Sequence, residues 1–157
     1  MKYNYLNIYN NLIKLTRNKK LFLKLEKQDT FSDRLILLFF HFSFFIKAYK
    51  SDISKIKMQE IFDYVIRQIE LSIREIGYGD VSVNKKMKQY INLFYSIVDK
   101  VERWDEITRS NKLECFESYL NIDKNHEFYL DYFDNYYQYL LKNTLNNFTK
   151  DIIQFKF

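Results

Sequence analysis

The chain has no proline, only two glycines and a single cysteine in 157 residues. Because proline is the residue that removes a backbone donor and clashes with the preceding turn, its absence leaves every long segment free to be helical. Cys115 stands alone, which excludes an intramolecular disulfide and points to a reducing compartment and a buried, inert thiol. No run reaches the roughly 20 apolar residues that a membrane span requires. The longest, LILLFFHFSFFI at 35–46, is interrupted by His41 and Ser43 and reads as a buried helix. The opening residues, MKYNYLNIYNNLIKL, lack the continuous apolar core and small-residue cleavage site of a secretory signal, and the Lys bias and scarcity of Ser and Arg disfavour a transit peptide. A cytoplasmic-side location is the expectation.

Signatures of chemistry are also missing. His41 and His126 belong to no HExxH, CxxCH or paired-histidine spacing, so neither a metal nor a cofactor is expected. Asp63, Glu70, Glu75 and Asp80 are spread along one helix and its exit, and no base, nucleophile and oxyanion donor assemble around them. The chain is not expected to be an enzyme.

What remains is abundant and regular. Hydrophobic residues make up 47% of the chain, enough for one domain to bury a real core. Much of the aromatic excess belongs with a bias towards Lys, Asn, Ile, Tyr and Phe, with Ala48 the sole alanine, as AT-rich coding DNA produces. It is therefore a poor guide to aromatic chemistry. Tyr5, Ile8, Leu12 and Leu15 recur at helical spacing, and Leu35 to Tyr49 is apolar nearly all round, as suits a central helix. Met58, Ile61, Phe62, Val65, Ile69, Ile73 and Ile76 predict a helix from about Ser54 to Ile76, and Met87 to Val101 predict another running to about Trp104. A short helix is expected around Leu113–Leu120, and a final long one from Asn125 that continues to Phe148. The prediction is an all-α, single-domain helical bundle of about six helices. Residues 1–28 form a basic amphipathic segment ahead of a helical domain over 29–157.

Charge is uneven. Residues 1–28 carry Lys2, Lys14, Arg17, Lys19, Lys20, Lys24 and Lys27 against Glu26, a net +6 in a chain whose total is +5. Such a segment is either a solvated helix face or a contact for anionic lipid, ribosomal RNA or an acidic partner.

Both glycines lie in REIGYGDVSVNKKMK at 74–88. Gly77 falls where a helix ending at Ile76 closes through a left-handed residue, Gly79 permits a second turn, and Ser82 or Asn84 is placed to cap the next helix. A tight connection between antiparallel helices explains that much. It does not explain Asp80, the apolar Tyr78, Val81 and Val83, or Lys85, Lys86 and Lys88, which look like a surface built for contact. Lysines in a first helical turn oppose the macrodipole, as a negative partner would justify.

Arg74, Glu75, Gly77, Gly79, Asp80, Ser82, Val83, Lys85, Lys88, Phe94 and Tyr95 fall in the pattern L-R-E-x-G, V-G-D-L, S-V, K/R-x-x-K and A-F-Y. Upstream, FDYVIRQIE at 62–70 and an R-x-x-L-x-x-H segment with Arg34, Leu37 or Leu38, and His41 extend the match. In these features the chain resembles the ubiquinol-cytochrome c chaperone family of mitochondria and alphaproteobacteria over about residues 29–104. Tyr78 stands where Val is usual and Val81 where Leu is usual. The resemblance implies an assembly factor for ubiquinol-cytochrome c reductase that assists newly made cytochrome b; mitochondrial members work with a small helical partner at the ribosome exit site. It marks Arg74, Gly77, Tyr78, Gly79, Asp80, Val81, Val83, Lys85, Lys86 and Lys88 as candidate client contacts. Lys14, Arg17, Lys19, Lys20 and Lys24 become a candidate contact for the ribosome or for an anionic surface, peripheral at the inner membrane. The competing expectation is a helical RNA- or ribosome-binding protein acting through the basic segment, with steep salt dependence. A plain helical interaction module would leave the lysines at 85–88 dispensable.

Overall fold

The computed structural model describes residues 4–25, 30–120 and 126–157. These contain eight helices and no strand: α1 (Tyr5–Thr16), α2 (Lys19–Phe22), α3 (Phe31–Tyr49), α4 (Lys55–Ile76), α5 (Asp80–Glu102), α6 (Arg109–Tyr119), α7 (His126–Lys142) and α8 (Leu145–Lys150). Lys2, Glu26 and Lys27, and the boundary expected between residues 28 and 29, lie outside the described residues.

The apolar run at 35–46 becomes the centre of the molecule because it has no polar face to show to water. Every residue from Leu35 to Phe45 is buried, and α1, α5 and α7 pack around α3. Aromatic rings fill the space between helices: Phe44 stacks on Phe133 with centroids 5.7 Å apart, and Phe133 stacks on Phe116 at 5.6 Å. Each such ring, once fully buried, contributes on the order of 1.5–3 kcal/mol of transfer free energy. Both nitrogens of His41 are satisfied inside this layer, by the Leu37 carbonyl and the Tyr132 hydroxyl.

The two periodic stripes form a helical hairpin against α3. Ile61, Val65, Ile69 and Ile73 of α4 are buried, as are Val83, Met87, Phe94, Ile97 and Val101 of α5. Phe62 and Tyr95 stack across the pair at 5.8 Å, equidistant in sequence from the turn, which fixes the antiparallel register. Ser54 starts α4 as expected, its hydroxyl accepting from the Lys57 amide at 3.2 Å. Ile76 departs from the predicted stripe: it is 56% exposed and borders an open cavity between α1, α3 and α4.

Two short helices, α2 and α8, account for the excess over the expected six. Asn18 caps α2, accepting from the Lys20 amide at 3.1 Å, and turns Leu21 into the core. The last long helix does not reach Phe148 but ends at Lys142. The break before α8 lets Phe148 swing back onto Phe45, with ring centroids 4.8 Å apart. After α8 the chain runs non-helically beside α1, where Asn11 holds it. The Asn11 amide donates to the Phe148 and Asp151 carbonyls, each at 2.8 Å, and its oxygen accepts from the Ile153 amide at 3.0 Å.

Candidate functional site

The glycine segment is shorter than the sequence suggested. α4 closes at Gly77, whose φ of +107° lies in the left-handed region and whose amide donates to the Arg74 carbonyl at 3.0 Å. Gly79 uses no such freedom: with φ −73° and ψ 165° it is the extended N-cap of α5, and no side chain caps that end. Ser82 and Asn84, expected as caps, lie inside the helix instead. Because α5 begins at Asp80, Lys85, Lys86 and Lys88 fall beyond its first turn, and the expected conflict with the macrodipole disappears. Asp80 occupies the first turn, where a carboxylate is favoured.

A chain of ion pairs runs along α4 and crosses the turn. Arg67 donates to Glu70 at 2.8 Å, Arg74 donates to Glu70 at 3.2 Å, and Arg74 also pairs with Asp80. Hydrogen bonds from Arg67 and then Arg74 hold the Glu70 carboxyl below its ordinary pKa, and the Asp80 and Glu70 carboxylates raise that of Arg74. The pairs are solvent-facing, so their value lies in geometry more than in stability. Beside them the Lys86 ammonium sits over the Tyr78 ring, 4.6 Å from its centroid.

The turn therefore gathers most of the predicted client contacts at one end of the hairpin. Tyr78 is 44% and Val81 85% exposed; Gly77, Gly79, Asp80, Lys85 and Lys88 are exposed too, with Arg74 and Lys86 half-buried. Val83 is the exception. Its side chain is fully buried in the core, so it is a packing residue with no surface to offer a partner. The signal was in the sequence: Val83, Met87, Tyr90, Phe94, Ile97 and Val101 step by four and three, so the α5 stripe begins at Val83 and not at Met87. Ile76 was missed as a surface residue and joins Tyr78 and Val81 in an exposed apolar tip.

The basic N-terminal candidates are differently placed. Lys14 donates to the Ile153 carbonyl at 2.9 Å, Lys20 to the Phe157 carbonyl at 2.5 Å, and the Lys24 ammonium lies 5.6 Å from the Phe128 ring centroid. Three of the five thus engage the C-terminal third of the chain and Arg17 lines a cavity between α1, α3 and α4, although all five are exposed.

The two histidines are held differently. Burial lowers the His41 pKa from 6.5 to about 3, the hydrogen bond to Leu37 partly opposing it, so the ring is neutral. His126 lies 3.1 Å from the Glu117 carboxylate. Burial pushes the Cys115 thiol up to about 11, away from thiolate reactivity. Among the described residues no group of three or more His, Cys, Asp or Glu side chains is placed to hold a metal ion.

A family model, Ubiquinol-cytochrome C chaperone, matches residues 23–104, just over half of the chain. The matched span takes in α3, α4, the glycine turn and α5. Nothing among curated proteins or solved structures matches the chain.

Proposed function

The chain belongs to the ubiquinol-cytochrome C chaperone family, and from that premise we propose that it is a non-enzymatic assembly factor that binds newly made cytochrome b through the tip of the α4–α5 hairpin. One observation carries the placement of the contact. Apolar Ile76, Tyr78 and Val81 stand exposed beside Lys85, Lys86 and Lys88, on a turn braced by the Arg74–Asp80 pair. An apolar patch rimmed by cations suits a client whose hydrophobic segments end in acidic loops or at phosphate headgroups.

Binding of this kind requires no cavity and no activated residue. The protein would hold an unassembled subunit at the membrane surface, on the cytoplasmic side, as a peripheral component. No helix among the described residues is long and apolar enough to cross a membrane. A function resting on RNA contact through the basic N-terminal segment is not favoured, since Lys14, Lys20 and Lys24 are turned towards the chain's own C-terminal third.

The test is a gentle-detergent pull-down of the tagged protein from its native cells, with cytochrome b scored by mass spectrometry. Enrichment of cytochrome b that is lost when the tip is altered supports the proposal. Recovery of ribosomal RNA without cytochrome b rejects it.

A further inference from the structure

Residues 151–157 follow α8 as a non-helical strap, and they are held in the way a bound peptide is held. Among the described residues, 152–157 make no backbone–backbone hydrogen bond. Side chains of α1 and α2 grip the strap's main chain instead. Asn11 takes both the Asp151 carbonyl and the Ile153 amide, Lys14 donates to the Ile153 carbonyl at 2.9 Å, and Lys20 donates to the Phe157 carbonyl at 2.5 Å. On the other side, α7 receives alternate side chains. The Phe155 ring lies 5.4 Å from the Tyr139 ring and 5.5 Å from that of Tyr132, Phe157 meets Phe128 at 5.6 Å, and Ile153 is buried. Between them Ile152, Gln154 and Lys156 are exposed, the alternation of an extended chain. Main-chain hydrogen bonds combined with sites for every second side chain are the chemistry by which extended peptides are recognised.

A strap held by side chains and only partly buried belongs to the low-stability end of a fold, where local opening occurs. Its charge also fits poorly. Lys14 and Lys20 contact it and Lys24 lies over the Phe128 ring that meets Phe157, yet the strap brings only Asp151 against Lys156 and no net charge. Lys14 and Lys20 donate to neutral carbonyls where a carboxylate would form the stronger, charge-assisted bond. We propose that the groove between α1, α2 and α7 binds an extended acidic segment of another protein, with apolar residues at alternate positions, and that the strap is its internal competitor. A second copy of this chain is the poorer occupant, because its strap offers the same uncharged fit and its exchange costs association entropy. The strap and α7 lie beyond the matched residues 23–104, and the groove shares no residue with the hairpin tip, so the inference stands apart from the client reading.

The experiment is fluorescence anisotropy of two labelled peptides added to the full chain: the strap's own sequence, 151–157, and the same peptide with Gln154→Glu and Lys156→Glu. Saturable one-to-one binding is expected, with the acidic peptide about tenfold the tighter, the scale of replacing neutral by charge-assisted hydrogen bonds. Loosening the strap in the protein with Phe155→Ser should strengthen binding of both peptides at least about tenfold, because a tethered competitor acts at roughly millimolar effective concentration. Gln154→Pro, at an exposed position whose amide donates to the Tyr139 hydroxyl, is the second loosening variant, and helical circular dichroism verifies that each is folded. Lys14→Gln with Lys20→Gln, both exposed, should erase the preference for the acidic peptide. A peptide with Ser in place of Ile153, Phe155 and Phe157 should not bind. No binding of either peptide to the loosened variants overturns the proposal, as does equal binding to wild type and loosened protein, or binding that ignores the lysines or the inward serines. Concentration-dependent dimerisation of the intact chain that excludes the peptides also overturns it, since the occupant is then the strap of a second copy.

Discussion

The Tyr132 hydroxyl donates to Nε2 of His41 at 2.7 Å, because Nδ1–H is committed to the Leu37 carbonyl, itself 2.7 Å away. A carbonyl only accepts, so the tautomer follows from the geometry once the ring is neutral. The pair ties the central helix to α7 across residues that are distant in sequence. It also makes the core sensitive to acid.

Above pH 6.5 the ring is neutral in both folded and unfolded chains, and its contribution to folding is fully present. As pH falls towards the folded pKa of about 3, only the unfolded chain takes the proton, so stability declines. The slope approaches about 1.4 kcal/mol per pH unit. Urea melts of wild type and His41→Phe should therefore converge by about 2 kcal/mol between pH 6.5 and 4.5, on that same slope. Parallel curves would show that His41 is not held neutral.

The two glycines should separate cleanly in stability. Gly77→Ala must hold a side chain at φ +107°, which costs about 1 kcal/mol although nothing lies within 4 Å of the added carbon. Gly79→Ser places a capping hydroxyl on an extended residue that lacks one, with open space around it, and should stabilise by a few tenths of a kcal/mol. Thermal unfolding of the two variants checks both signs. Equal losses would mean that Gly79 too needs its flexibility.

The long helices could be read from periodicity because each buries one face against a continuous neighbour. Ser54, Ile61, Val65 and Ile69 sit where the sequence places them for that reason. α2 and α8 could not be read, since four and six residues are too few to show a period. Ile76 failed for a different reason: spacing says which face a residue is on, not whether a neighbouring side chain fills the space against it. At the turn, the residue types identified the surface, but the start of α5 was placed too late, which put Val83 on the wrong side of the boundary. The cavity beside Arg17 joins residues of three separate helices, and the attachment of Lys14 to Ile153 and of Lys20 to Phe157 spans more than a hundred positions. No local pattern contains them.

Asn11 supports the whole C-terminal segment. It is buried and makes hydrogen bonds to three backbone groups of residues 148–153; its removal leaves the Ile153 amide without that acceptor, while the Phe148 and Asp151 carbonyls keep the longer bonds from the Asn7 amide. Asn11→Ala should destabilise the protein by about 2–3 kcal/mol, the sum of modest net bonds and the newly unsatisfied amide. Hydrogen exchange at the Ile153 amide should accelerate more than exchange in α4 or α5. Uniform acceleration across the chain would indicate that the segment does not open by itself.

The tip of the hairpin should be separable from the fold. Lys85 and Lys88 are exposed, and Lys86 is half-buried against Tyr78, so reversing all three charges to Glu removes one cation–π contact and no core packing. The isolated variant should keep its helical content and lose little thermal stability, as surface substitutions generally do. In cells, mature ubiquinol-cytochrome c reductase, read from its haem b absorbance, should fall, and Val81→Asp should produce the same loss by placing a charge on an 85% exposed apolar residue. Val83→Ala is the contrasting case. It opens space in the core and should lower stability by about 1–3 kcal/mol, with reductase declining only as the protein itself declines. If the charge reversals leave reductase at its normal level, the tip is not the client contact. If all variants reduce it only in proportion to their own abundance, the effect belongs to folding and the surface has no separate role.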